Sequence, residues 1–167
     1  MRRALLLGMG LFVLPSVSEA QVELGLDAGL LYDRAGGESV TAFAIPVPTF
    51  RIGFPVGSAS IESLVLLQIL NESDVTNTSI VLLPGVNFPV GSSGMYLRAE
   101  LGLTYVSGGG FSASQFGFGG AVGYKRPMGD GPVSLRFEGG VDQFLENDDF
   151  LSTTEIRALI GFSVVVE

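Results

Sequence analysis

Residues 97–102 read Leu-Arg-Ala-Glu-Leu-Gly, and residues 135–140 read Leu-Arg-Phe-Glu-Gly-Gly. Each hexamer starts six residues after the glycine of a Pro-x-Gly turn, Pro89-Val90-Gly91 or Pro127-Met128-Gly129. Alternate side chains of an extended strand point to opposite faces. Arg98, Glu100 and Gly102 therefore share one face, and Leu97, Ala99, Leu101 and Leu103 the other. The second hexamer repeats the division, with Arg136, Glu138 and Gly140 set against Leu135, Phe137 and Gly139. A chain built from such strands can close around a polar interior with its apolar wall on lipid. It can also close around an apolar core with its charges in water.

Six further segments alternate in the same way. Residues 22–33 place Glu23, Gly25, Asp27 and Gly29 opposite Val22, Leu24, Leu26, Ala28 and Leu30. Residues 40–54 end with Thr49, Arg51 and Gly53 opposite Phe50, Ile52 and Phe54. Their first half carries Pro46 and Pro48, which donate no ladder hydrogen bond and so predict a bulge or local break. Residues 60–70 alternate poorly, because Leu64, Leu66 and Leu70 fall on the same face as Glu62 and Gln68. Residues 79–88, 115–125 and 154–166 complete the set. The last places Glu155, Arg157, Gly161 and Ser163 opposite Ile156, Ala158, Ile160, Phe162, Val164 and Val166. No segment after residue 20 shows the 3.6-residue period of an amphipathic helix.

The connections divide into two kinds. Phe54-Pro55-Val56-Gly57-Ser58 recurs as Phe88-Pro89-Val90-Gly91-Ser92 and, more loosely, as Arg126-Pro127-Met128-Gly129-Asp130. Proline there is expected to end a strand and glycine to turn the chain, at 55–58, 89–94 and 127–131. The other connections, 34–39, 71–77, 108–112 and 146–152, are polar and share no motif. Three like turns at one end and four unlike loops at the other describe an antiparallel up-and-down meander of eight strands.

Side-chain size decides which face is inside. An eight-stranded barrel has an interior only just wide enough for side chains to fill. The polar face is rich in glycine (Gly25, Gly53, Gly85, Gly119, Gly140 and Gly161 among others), whereas the apolar face is built from Leu, Ile, Val, Phe and Tyr. Small residues suit the concave side. Charge agrees, since an Arg or Lys facing lipid at midplane costs about 2–4 kcal/mol. The fold class predicted is all-β, an eight-stranded antiparallel up-and-down transmembrane β-barrel. Its lumen is expected to hold a structural charge network of Glu23, Asp27, Arg51, Glu62, Arg98, Glu100, Arg136, Glu138, Asp142, Glu155 and Arg157. Opposite signs at adjacent inward positions can pair there and share hydrogen bonds.

The N-terminus reads as an export signal. Met1-Arg2-Arg3 precedes an apolar run from Ala4 to about Leu14, then Pro15 and Ser18-Glu19-Ala20, which supply the three parts of a cleaved secretory peptide. Cleavage after Ala20 would leave 147 residues, 21–167, as one barrel domain with a formal charge of −9. Cysteine, histidine and tryptophan are all absent. No disulfide can form, and the usual general acid/base and commonest metal ligand are missing. The acidic balance excludes the basic footprint of a nucleic-acid binder. No catalytic residue, cofactor or metal is expected.

The whole of residues 21–167 resembles the small outer-membrane β-barrels of Gram-negative bacteria, the OmpA/OmpX type, in signal, strand number, short turns and charged lumen. The resemblance implies an outer-membrane location with outer-membrane lipids around the barrel. It also implies a periplasmic end at the three Pro-x-Gly turns, and insertion by periplasmic chaperones and the barrel assembly machinery. Members commonly end in an aromatic residue, whereas this chain ends Val164-Val165-Val166-Glu167. A monomer is expected.

Two motifs compete with this reading. Residues 117–123, Gly-Phe-Gly-Gly-Ala-Val-Gly, look like a dinucleotide loop, but no helix follows them, as that loop requires. Glu146, Asp148 and Asp149, with Glu72, Asp74, Asp33 and Glu38, make the loop rim acidic. They read as solvated loops, because the ligand spacing of a calcium loop is missing. The function expected is a small outer-membrane barrel with a side-chain-filled lumen and a structural or surface-interaction role. A narrow passive pore, lined by Arg98, Arg136, Glu100 and Glu138, and a soluble lipocalin-like barrel are the alternatives.

Overall fold

The computed structural model describes residues 21–36, 38–44, 48–72 and 75–166, with side chains left out for 38–44, 68–72 and 75–77. The expected signal peptide lies outside these residues. Nine strands run in chain order: β1 (Val22–Ala35), β2 (Glu38–Ala44), β3 (Thr49–Val56), β4 (Ala59–Glu72), β5 (Val75–Val90), β6 (Met95–Gly108), β7 (Phe111–Pro127), β8 (Val133–Phe144) and β9 (Thr153–Val166). β2 and β3 each pair antiparallel with β1, every later strand pairs antiparallel with the one before it, and β1 pairs with β9 to close the sheet. Among the described residues no helix is long and apolar enough to cross a membrane.

Nine elements fill eight barrel positions because β2 and β3 are two halves of one strand. Both pair with β1: Leu31 opposite Ala44 in the upper half, Asp27 opposite Thr49 in the lower. Between those pairs β1 advances by four residues and its partner by five. The register therefore shifts by one residue between the Ala44 and Thr49 pairs. The break expected at Pro46 lies outside the described residues.

Two expectations about the connections are corrected. Pro55 and Pro89 do not end their strands; they pair with Ser60 and Tyr96 inside the ladder, next to its last rung. The loop-end connections are also shorter than their composition implies. The polar segment expected as a loop at 71–77 zips up as far as Glu72 opposite Val75, and the 108–112 loop contracts to Gly109-Gly110. Those two glycines have φ of 58° and 84°, the positive values that a two-residue hairpin turn requires and glycine adopts freely.

The outer face is apolar nearly throughout. Leu101 and Phe116 are 66% and 67% exposed, and Phe50, Phe54, Phe88, Phe118, Ile160 and Phe162 stand out from the wall as well. The inner face holds nearly every buried charge. This is the reverse of a lipocalin-like barrel, and it removes that alternative. Gly117 to Gly123 lie within β7, so the dinucleotide-loop reading fails with them.

The register also winds the sheet. One rung leaves β1 at Asp33 and passes Glu155, Asp142, Gly119, Glu100, Gly85, Glu62 and Gly53. It returns to β1 at Glu23, ten residues lower on that strand (33 to 23). That offset is the stagger by which a tilted sheet closes into a barrel. It lines the lumen with an inclined row in which carboxylates and glycines largely alternate.

Candidate functional site

The alternation has a steric cause. A methyl group at Gly140 would lie 2.7 Å from the guanidinium carbon of Arg157, and one at Gly85 would lie 3.1 Å from that of Arg98. At Gly119, Gly123 and Gly161 it would collide with Asp142, Tyr96 and Asp27. The large polar side chains of the lumen lie over glycines of adjacent strands. Glycine on the inner face is the space in which the charges are stored.

The charges then bridge the lumen. Arg51 on β3 donates to Asp27 at 2.8 Å, to Glu138 across the barrel at 3.0 Å, and to Glu62. Arg98 reaches Glu62 at 2.8 Å and Glu100 at 2.7 Å, and donates to the Leu83 carbonyl at 2.6 Å. Arg136 spans from β8 to Glu62 at 2.7 Å and Glu23 at 3.1 Å. Arg157 contacts Asp142 and Glu100, with Glu138 3.6 Å away. The Tyr96 hydroxyl donates to Glu138 at 2.7 Å and accepts from Arg136 at 3.3 Å. Arg157 and Glu62 are each about 1% exposed. Burying such charges is costly, and sharing each guanidinium between carboxylates offsets part of that cost, although Nη2 of Arg51 and Nε of Arg136 and Arg157 stay without a partner.

Ten of the eleven residues expected in the network form ion pairs: Glu23, Asp27, Arg51, Glu62, Arg98, Glu100, Arg136, Glu138, Asp142 and Arg157. Glu155 is placed inward and buried, but its Oε1 has no hydrogen-bond partner. The expected pairing of neighbours along one strand holds for Arg98 with Glu100 only. Arg136 passes over Glu138 to reach Glu23 and Glu62, and Arg157 turns away from Glu155. An arginine is long enough to cross this narrow lumen, so the opposite wall competes with the residue two positions on.

On the loop side of this network the lumen is apolar. Leu31, Leu64, Leu66, Val81, Leu83, Phe144 and Leu159 form one buried cluster. The Phe144 ring covers Gly102 and Gly117, where an added methyl would lie 2.8 and 2.7 Å from it. Leu64 and Leu66 spoil the alternation of β4 because their segment has an apolar inner face. Tyr96, Phe144 and Leu159 were not singled out from the sequence, although their even or odd position on β6, β8 and β9 marks them as inward. At the turn end the lumen opens into a vestibule of about 600 Å³, bordered by Glu23, Lys125, Arg136, Tyr96 and Asn87. Lys125 closes part of it through a 2.7 Å pair with Glu23.

Asp33, read as part of the acidic rim, lies instead on the inner face of β1 opposite Glu155. Glu146, Asp148 and Asp149 are exposed in the β8–β9 connection. The side chains of Glu38, Glu72 and Asp74 lie outside the described ones. Among the described residues no group of three or more acidic side chains is gathered tightly enough to cage a metal.

An apolar belt outside and bridged charges inside define a membrane-spanning β-barrel with a filled lumen. Its fold is that of the small outer-membrane barrels. Neisserial surface protein A (NspA) matches with a TM-score of 0.61 at 18% identity, over 87% of this chain and 99% of that one. Ail, the attachment invasion locus protein of Yersinia pestis, matches in its complex with the heparin analogue sucrose octasulfate. There the TM-score is 0.55 at 11% identity, over 89% of this chain and 99% of that one. A major outer membrane protein from Thermus thermophilus gives 0.54 at 12% identity, over 87% and 99%. At these identities the likeness is one of fold. No protein-family model and no curated protein matches the sequence.

Proposed function

We propose that the chain is a small integral outer-membrane β-barrel with a structural role, closed to ion flow and without catalytic activity. One observation carries the reading: guanidinium groups from β3, β6, β8 and β9 span the lumen to carboxylates on other strands. Above them sits an apolar plug. A conducting path would need several of these pairs to part and the plug to open. The lumen network acts as packing, holding opposite walls at a fixed separation. The short loop-end turns leave little area for adhesion, which favours a structural over a surface-interaction role. In this reading the barrel is a monomer among outer-membrane lipids, delivered by periplasmic chaperones and inserted by the barrel assembly machinery.

Membrane fractionation with gel migration of unheated and boiled protein tests the placement. The expected result is recovery from the outer membrane in detergent, with migration that shifts on boiling. Recovery in the soluble fraction with no shift would overturn it.

A further inference from the structure

Six inward carboxylates (Glu23, Asp27, Glu62, Glu100, Glu138 and Asp142) share five cations, Arg51, Arg98, Lys125, Arg136 and Arg157. Asp33 and Glu155 raise the carboxylates to eight and bring no cation with them. They stand directly opposite each other in the β1–β9 ladder, on the same inner face. Like charges so placed repel. Glu155 is 5% exposed, and one buried oxygen of each, Oε1 of Glu155 and Oδ1 of Asp33, has no hydrogen-bond partner. On the next strand of the same rung, Asp142 turns one oxygen to Arg157 and leaves its other without a partner. Unpartnered oxygens of Asp33, Glu155 and Asp142 thus occupy three consecutive strands at the loop end of the lumen. A buried carboxylate without a partner is costly, and it either takes up a proton or needs a cation beside it.

We propose that Asp33 and Glu155 hold a hydrated divalent cation, Mg2+ or Ca2+, at the loop end of the lumen. Asp33 and Glu155 offer carboxylate oxygens, the ligand class that hard cations select. One or two carboxylates with retained water is a usual coordination for such an ion, so an all-protein cage is not needed. Every other carboxylate of the winding rung meets a cation that the chain supplies. At its upper end the cation comes from solution. Asp33 is half-buried, whereas Glu155 is buried.

The test is urea unfolding of the folded full barrel, followed by gel migration, in EDTA and with added MgCl2 or CaCl2. A cation at about 100 times its dissociation constant lowers the unfolding equilibrium constant about 100-fold when it binds only the folded state. Wild type is expected to show that response, with the two salts separating the identity of the ion. Glu155→Gln and Asp33→Asn should each abolish it while leaving the barrel folded, because an amide keeps the shape and removes the repulsion. Asp148→Asn with Asp149→Asn should leave it intact. An unresponsive wild type overturns the site. So does a response that survives both inner substitutions or disappears with the loop pair, and so does stabilisation by acid alone with no dependence on either salt.

Discussion

The lumen is filled in two different ways. Toward the turns it is packed by charge: Arg51, Arg98 and Arg136 share Glu62, and Tyr96 joins Arg136 to Glu138. Toward the loops it is packed largely by volume: Leu64, Leu66, Val81, Leu83 and Phe144 belong to one buried apolar cluster. The two halves share one device, the inner glycine, which makes room for Arg157 at Gly140 and for Phe144 at Gly117. They differ in what a single loss does. The apolar half loses contacts in proportion to the volume removed, and each loss stays local. In the charged half the guanidinium groups are shared, so removing a carboxylate such as Glu62 takes an acceptor from several cations at once.

That difference orders the expected outcomes. Glu62→Ala leaves Arg51, Arg98 and Arg136 each short of an acceptor, and is expected to destabilise the barrel by about 3–5 kcal/mol. Leu64→Ala, the matching loss in the apolar half, should cost about 2–5 kcal/mol by transfer and cavity terms. The comparison is sharpened by combining each with Arg98→Met. The Glu62 pair should show strong non-additivity, and the Leu64 pair should come closer to adding. Urea titrations read by gel migration measure all four. A Glu62 loss no larger than a surface change, or an additive Glu62 pair, would break the distinction.

The outer wall supplies a third term. Leu101→Arg introduces a charge on the lipid-facing side of β6 and should cost about 2–4 kcal/mol in a bilayer. Gly140→Ala forces the Arg157 guanidinium aside and should cost about 1–3 kcal/mol by overpacking, measured in the same titration. Lys125→Ala removes the more exposed pair at the vestibule and should cost at most about 1 kcal/mol, an effect that high salt should diminish. The buried pairs around Glu62 should respond little to salt.

Strand number and the inward charges were legible because a period of two fixes the face of every residue. Composition then decides which face is crowded. The apolar plug was less legible. Leu64 and Leu66 read as a defect in β4 on the assumption that an inward face is polar, whereas a lumen closed to water has no such requirement. Phe144 and Leu159 lie at inward positions of strands that otherwise carry charges and glycine, so nothing local distinguishes them. Pairing was least legible: Arg136 crosses to Glu62 rather than to Glu138, a choice set by barrel diameter and stagger. The strand ends at 71–77 and 108–112 were hidden for a related reason. Polar residues can continue a ladder beyond the apolar belt when their backbones find partners.

Single-channel recording of the folded barrel in a planar bilayer tests the central claim most directly, that both halves of the lumen are closed. Protein whose folding has been verified by gel migration should give no conductance above the unmodified bilayer, at either polarity. A steady ohmic current would contradict it, because ions could then pass both the bridged arginines and the leucine plug.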